Sequence, residues 1–208
     1  RFHTLTTRRS RTACSSADAH AASRGLWHSF SMTRSADTLS ESVRLTLDSA
    51  WQPVNDLRTR LTADAYLWEP AAPCWTVRPT DGGWAADWVE EEPNPAPLTT
   101  IAWRTWHIGV DCLDSYSGRL VGRGGTGLTG TAWVGTPVEA LDLLDQAWAV
   151  FFSAITSWTA DDLVSPLGSD WGPYGAQPKL DLAMHACREV IHHLAEISLL
   201  VDLHTTTA

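Results

Sequence analysis

The chain has 208 residues, 44% of them apolar, a formal net charge of -9 and four cysteines, material for one full-sized core. No apolar run approaches the roughly 18 residues of a membrane-spanning helix, and no signal-peptide pattern is found, so a cytoplasmic protein with no membrane partner is expected. Residues 1–34 hold six Arg against one acid, Asp18, which leaves -14 on the remainder. So acidic a body lacks the clustered basic surface that phosphates require, which excludes nucleic acid as a partner.

Residues 1–35, rich in Arg, Ser, Thr and Ala and without periodicity, are expected to be a disordered extension. Their composition also suits a transit peptide, but a natural start at Met32 is the simpler reading. The cysteines Cys14, Cys74, Cys112 and Cys187 lack metal-type or disulfide-type spacing, and Cys112 and Cys187 are expected as small buried apolar residues.

A first helix is predicted over 36–61, with Leu39, Val43, Leu47, Ala50, Val54, Leu57 and Leu61 forming one stripe. Pro53 removes a backbone donor and predicts a break near Trp51. From Thr62 to Pro97 the pattern dissolves into Pro, Gly and the four tryptophans Trp68, Trp75, Trp84 and Trp88. A long, ordered, Trp-rich loop is expected here, with Trp75 and Trp84 as pocket walls.

A second helix starts after Pro97 with Thr99 or Thr100 as N-cap and runs to about Ser117–Gly118. Residues 119–135 are Gly-rich and read as a turn-rich connection; the stretch lacks the lysine of a P-loop. A third helix opens at Thr136-Pro137, where Glu139 predicts a capping box, and ends near Trp158. After the loop 165–178, a fourth helix spans 179–204. Four long helices and almost no strand pattern predict an all-α fold, a four-helix bundle over 36–204 with the long Trp-rich loop between its first two helices.

The fourth helix carries three Glu/His pairs four residues apart: His185/Glu189, Glu189/His193 and His192/Glu196. Such residues share a face, and carboxylate oxygen and neutral imidazole nitrogen both ligate zinc. On a helical wheel, Glu189/His193 lies nearest the apolar arc of Cys187, Val190, Ile191, Leu194, Ile197 and Val201, so this pair is the preferred metal clamp. His107, the mid-helix histidine outside the fourth helix, is the third ligand. Asp111, or Asp114, shares its face and can accept the hydrogen bond from its other nitrogen; Trp103, one turn earlier, can exclude water from one side. No catalytic base is identified.

At these residues the chain resembles the DinB-like (YfiT-like) metal-dependent four-helix superfamily, in particular its branch related to the N-terminal domain of mycothiol-dependent maleylpyruvate isomerase. The resemblance covers roughly 36–204. It rests on Thr100-Ile101-Ala102-Trp103-Arg104-Thr105-Trp106-His107-Ile108 and Arg188-Glu189-Val190-Ile191-His192-His193-Leu194-Ala195-Glu196-Ile197, with Leu67-Trp68-Glu69-Pro70 in support. It implies an up-up-down-down bundle with a metal in a cleft at one end. Most members use three histidines, whereas Glu189 resembles the His/Glu/His set of the isomerase branch. The resemblance thereby implies His107, Glu189 and His193 as ligands of a divalent metal, zinc first and nickel second.

For some members it also implies transfer or isomerisation with a low-molecular-weight thiol such as mycothiol or bacillithiol as cosubstrate. The sequence stops just after the fourth helix, whereas the isomerase carries a further C-terminal domain, so maleylpyruvate itself is not the expected substrate. The expected function is a thiol-dependent S-transferase or isomerase acting on a small molecule. The alternatives are a metal-dependent hydrolase on the same site and a non-catalytic ligand-binding bundle; a homodimer is compatible with each.

Overall fold

A computed structural model of the chain describes residues 37–207 except Glu92, Thr126 and Gly130. The expectations for residues 1–35, including Met32 and Cys14, lie outside the described residues. Helix α1 (Asp37–Trp51) ends where expected, because Pro53 starts a separate helix, α2 (Pro53–Arg60), at its first position. Val43, Leu47, Ala50, Val54 and Leu57 are all buried, so one apolar stripe continues across the break. At the break Trp51 stacks on Trp148, with ring centroids 4.4 Å apart, and its indole N–H donates to Asp145 at 3.2 Å.

The stretch 62–97 is not a plain loop. After a short helix α3 (Ala63–Tyr66) come β1 (Cys74–Trp75), β2 (Val77–Thr80) and β3 (Gly83–Ala86), and β4 (Leu98–Thr99) follows. Strand β5 (Ala132–Trp133) lies in the Gly-rich connection and pairs antiparallel with β3, which pairs antiparallel with β2; β1 pairs parallel with β4. The all-α expectation is therefore corrected to a mainly helical fold carrying two small sheets. These strands are two to four residues long, too short for a period-2 signal to rise above the Pro and Gly around them. The turn Asp81-Gly82, with Gly83 at a φ of 131°, was their strongest signal.

The small sheets grip the start of the second helical rod. Thr100 caps helix α4 (Ile101–Trp106), its hydroxyl accepting from the Trp103 amide at 3.2 Å and donating to Thr76 Oγ1 at 2.9 Å. The Thr100 amide donates to the carbonyl of Trp75 in β1 at 2.9 Å. The Trp103 indole N–H donates to the carbonyl of Asp87 at 2.8 Å.

Helix α4 runs without a break into a π-helical segment, His107–Asp114, and then α5 (Ser115–Leu120). Gly109 in the π segment has no side chain to spare: a Cβ there would stand 3.0 Å from the Trp133 ring. That ring is fixed by its N–H donating to Tyr66 at 3.0 Å.

Helix α6 (Pro137–Thr156) opens with Thr136 as N-cap, accepting from the Glu139 amide at 3.4 Å. The capping box is only half made, because the Glu139 carboxylate accepts the Thr136 hydroxyl at 2.6 Å instead of its backbone N–H. The complete box is at Thr159 and Asp162, at the start of α7 (Ala160–Val164). A 3-10 turn, Ser169–Tyr174, leads to the last helix, α8 (Lys179–Thr207). The α1/α2 rod packs on α6 and α8, and so does the α4–π rod. On α8 the inner arc is Ala183, Ala186, Val190, Leu194, Ile197 and Val201, all buried; Ile191, placed on that arc by the wheel, is 52% exposed. Among the described residues no helix is long and apolar enough to cross a membrane.

Candidate metal centre

The packing of α8 against the π segment brings the three expected ligands together. Glu189 Oε2 lies 3.7 Å from His107 Nε2 and 3.5 Å from His193 Nε2. The two imidazoles meet edge to face with centroids 4.7 Å apart. All three side chains are less than a fifth exposed, whereas His192 is 60% exposed, which separates the inward pair from its neighbour as the wheel indicated.

Each imidazole turns its other nitrogen to a carboxylate. His107 Nδ1 is 3.0 Å from Asp111 Oδ2 but out of line for a hydrogen bond. His193 Nδ1 bonds Glu196 Oε2 at 2.8 Å, and Glu196 is itself held by the buried guanidinium of Arg104. In the sequence Glu196 pairs at i,i+4 with His192, and only its i,i+3 spacing to His193 signals this contact.

Trp103 covers His107, stacked at 5.2 Å with the planes 8° apart. Trp75 packs behind it at 5.7 Å, and Trp88 joins the same aromatic group. Trp84 lies elsewhere: it pairs with Trp133 across the small sheet, and its indole covers Gly135. A cavity of about 680 Å³ borders the centre through His185 and Arg188. Its aromatic walls are Tyr116, Trp171 and Tyr174, so the loop 165–178 and α5 supply them and the expected Trp75, Trp84 and Trp103 do not. His185 Nε2 stands 3.6 Å from Glu189 Oε1, and its Nδ1 meets the Tyr116 hydroxyl at 3.0 Å.

The centre interleaves charges of both signs. Contact with His107, helped by Arg188, His185 and His193, outweighs burial and holds Glu189 down to about 2. Burial, together with the nearby cations, brings His193 down to about 3, so it is neutral at pH 7. Burial opposes a charge on His107 as well, but Asp111, Cys112 and Glu189 outweigh it and push this group up to about 11.

Neutral His193 with its Nδ1 proton committed to Glu196 presents a lone pair to the Glu189 carboxylate, acceptor facing acceptor. A cation between them satisfies both. Tetrahedral zinc, with N and O ligands at about 2.0–2.2 Å, would separate its ligand atoms by about 3.3–3.6 Å, close to the two spacings around Glu189 Oε2. The spacings from Glu189 Oε2 to both imidazoles suit a divalent ion, and among the described residues the ligand atoms of His107, Cys112 and Glu189 lie within 4.8 Å of one another, as do those of His192, His193 and Glu196.

Cys112 was expected as a packing residue only. It is buried, but its Sγ lies 3.7 Å from His107 Nε2, and Cys112, His107 and Glu189 bring ligand atoms within 4.8 Å of one another. Five residues on from His107, it would be turned about 140° away on an α-helix; the π segment, whose hydrogen bonds close at i+5, turns it back. No sequence pattern announced that change of register.

No curated protein matches the chain. The DinB superfamily family model matches residues 46–197, a span that contains α1 beyond its first turns, the π segment and α8 as far as Ile197. The chain belongs to the DinB superfamily.

Proposed function

We propose that this protein binds a divalent metal, zinc before nickel, through His107, Glu189 and His193, and acts as a thiol-dependent S-transferase or isomerase of the mycothiol or bacillithiol type. In this reading residues 36–204 form an up-up-down-down four-helix bundle. The observation that carries it is the facing of two imidazole Nε2 atoms and one carboxylate oxygen at 3.5–3.7 Å, each imidazole backed by a second carboxylate.

A bound divalent ion would make a coordinated thiol a thiolate at neutral pH. The protein's own residues supply the rest. Asp111 and Glu196 orient the two rings, and Trp103 keeps water from one face. Arg188 and His185, at the border between the cavity and Glu189, can hold an anionic group of a small substrate against the aromatic walls of Trp171 and Tyr174.

Elemental analysis after mild purification tests the first half, with close to one divalent metal per chain expected. Less than about 0.2 per chain, unrestored by added Zn²⁺ or Ni²⁺, sinks it. Incubation of the loaded protein with an electrophile tests the second half: consumption only when mycothiol or bacillithiol is added supports transfer. Turnover without thiol makes the protein a hydrolase, and no turnover with either thiol makes it a binding bundle.

A further inference from the structure

We propose that Cys112 is the fourth metal ligand in the resting protein, the one that an incoming thiol displaces. The inference rests on the metal-binding reading above and deepens it. Cys112 is 2% exposed, its Sγ is 3.7 Å from His107 Nε2, and it forms a three-residue cluster with His107 and Glu189. A tetrahedral ion with Zn–S of about 2.3 Å and Zn–N of about 2.0–2.1 Å separates S from N by about 3.5–3.6 Å. The observed spacing matches that edge.

The two flanking positions of the π segment then have different tasks. Asp111 faces Nδ1 of His107 and orients the ring, while Cys112 faces Nε2, the atom that binds the ion. An α-helical register would deliver Asp111 alone. A sulfur donor also biases the set toward zinc and away from magnesium or calcium.

The chemistry follows without an external base. When an ion is bound, Cys112 would ligate as thiolate, its proton having gone to solvent. An incoming thiol R–SH would take the place of Cys112 Sγ, its sulfur becoming the sulfur ligand and its proton passing to the displaced Cys112 sulfur, so that charge and atoms balance and nothing is oxidised or reduced. Once the thiol sulfur has bonded to the electrophile, Cys112 would return as ligand and release that proton to the product or to solvent. Tyr116 and His185, which meet at 3.0 Å and also line the cavity, mark the side from which the thiol enters.

Cobalt(II) loading of the chelator-stripped full chain tests this spectroscopically. The expected result is a thiolate-to-cobalt charge-transfer band in the near ultraviolet, lost in Cys112→Ser while the visible cobalt bands remain. Bound cobalt without that band, or a band that survives Cys112→Ser, overturns the role of Cys112 and leaves the three-ligand site standing. Failure to bind cobalt at all overturns both. If Cys112→Ser does not fold, X-ray absorption of the zinc-loaded wild type decides: one sulfur at about 2.3 Å is expected, and a shell of N and O only overturns the inference.

Discussion

The two halves of the metal centre are built on different helical geometries. On α8, Glu189 and His193 converge because an α-helix sets residues four apart on one face. On the facing rod, His107 opens a π-helical segment in which Asp111 and Cys112 both approach its ring, at 3.0 Å and 3.7 Å. The halves also differ in charge. His193 is kept neutral, while His107 holds a proton in the metal-stripped site. One half is thus a preformed pair of acceptors and the other a proton-bearing ring that an ion must displace.

The largest expected effect comes from removing a ligand from either half. His107→Ala and His193→Ala should each weaken zinc by more than the roughly 10–100-fold expected of residues outside the ligand set, measured by competition with a chromophoric chelator. If His107→Ala binds within about tenfold of the wild type, well short of that range, α8 alone holds the ion and the π segment is not part of the centre.

The next comparison is between the two orienting carboxylates. Glu196→Gln should cost the upper part of the 10–100-fold range and Asp111→Asn the lower part. Glu196 bonds Nδ1 of His193 at 2.8 Å and is anchored by Arg104, whereas Asp111 sits off the line of His107 Nδ1. The reverse order would mean that the Asp111 contact straightens when the ion arrives.

This asymmetry also explains what could be read from the sequence. The apolar stripe through Val43, Leu47, Ala50, Val54 and Leu57, the break at Pro53 and the Glu189/His193 face follow from α-helical period and proline chemistry, and all are found. His107 is legible as a candidate because it is the mid-helix histidine outside the last helix. Cys112 is not, since an i,i+5 relation carries no meaning until the helix widens, and residue propensities do not report widening. The paired strands around Trp75 and Trp84 are hidden for another reason: two to four residues show no period, and the partners are remote, Thr99 for Trp75 and Trp133, 49 residues on, for Trp84.

Acidity separates the halves by sign. His107, raised from 6.5 to about 11 in the metal-stripped protein, contributes stability that is fully present below pH 6.5 and is lost as pH rises toward 11. His193, lowered from 6.5 to about 3, contributes stability that is present above pH 6.5 and is lost as pH falls toward 3. Thermal midpoints of chelator-treated protein across this range should therefore fall at both ends, and His107→Ala should flatten the alkaline side and, by removing a charge that helps lower His193, lessen the acid-side fall as well. Because His107 must lose its proton to bind the ion, the zinc affinity of the Cys112→Ser protein, in which His107 alone gives up a proton, should rise about tenfold per pH unit near neutrality. Calorimetry in buffers of different ionisation enthalpy would count the released protons; release of none would mean that His107 already binds as neutral imidazole.

The smallest effect, with the most informative sign, belongs to Arg188. This side chain is 68% exposed and donates to Glu189 Oε1 at 2.9 Å, so its charge opposes an ion at Glu189 while favouring an anion in the adjoining cavity. Exposed pairs of this kind are worth up to about 1 kcal/mol, or roughly fivefold in binding. Arg188→Ala should therefore tighten zinc by up to that factor and weaken a carboxylate-bearing thiol such as mercaptosuccinate by a similar one, both shrinking as salt is added. Opposite shifts would place the ion and the anionic group on the two sides of a single guanidinium. Parallel weakening of both would instead mean that Arg188 acts by holding Glu189 in place, and the cavity would lose its claim to an anionic substrate.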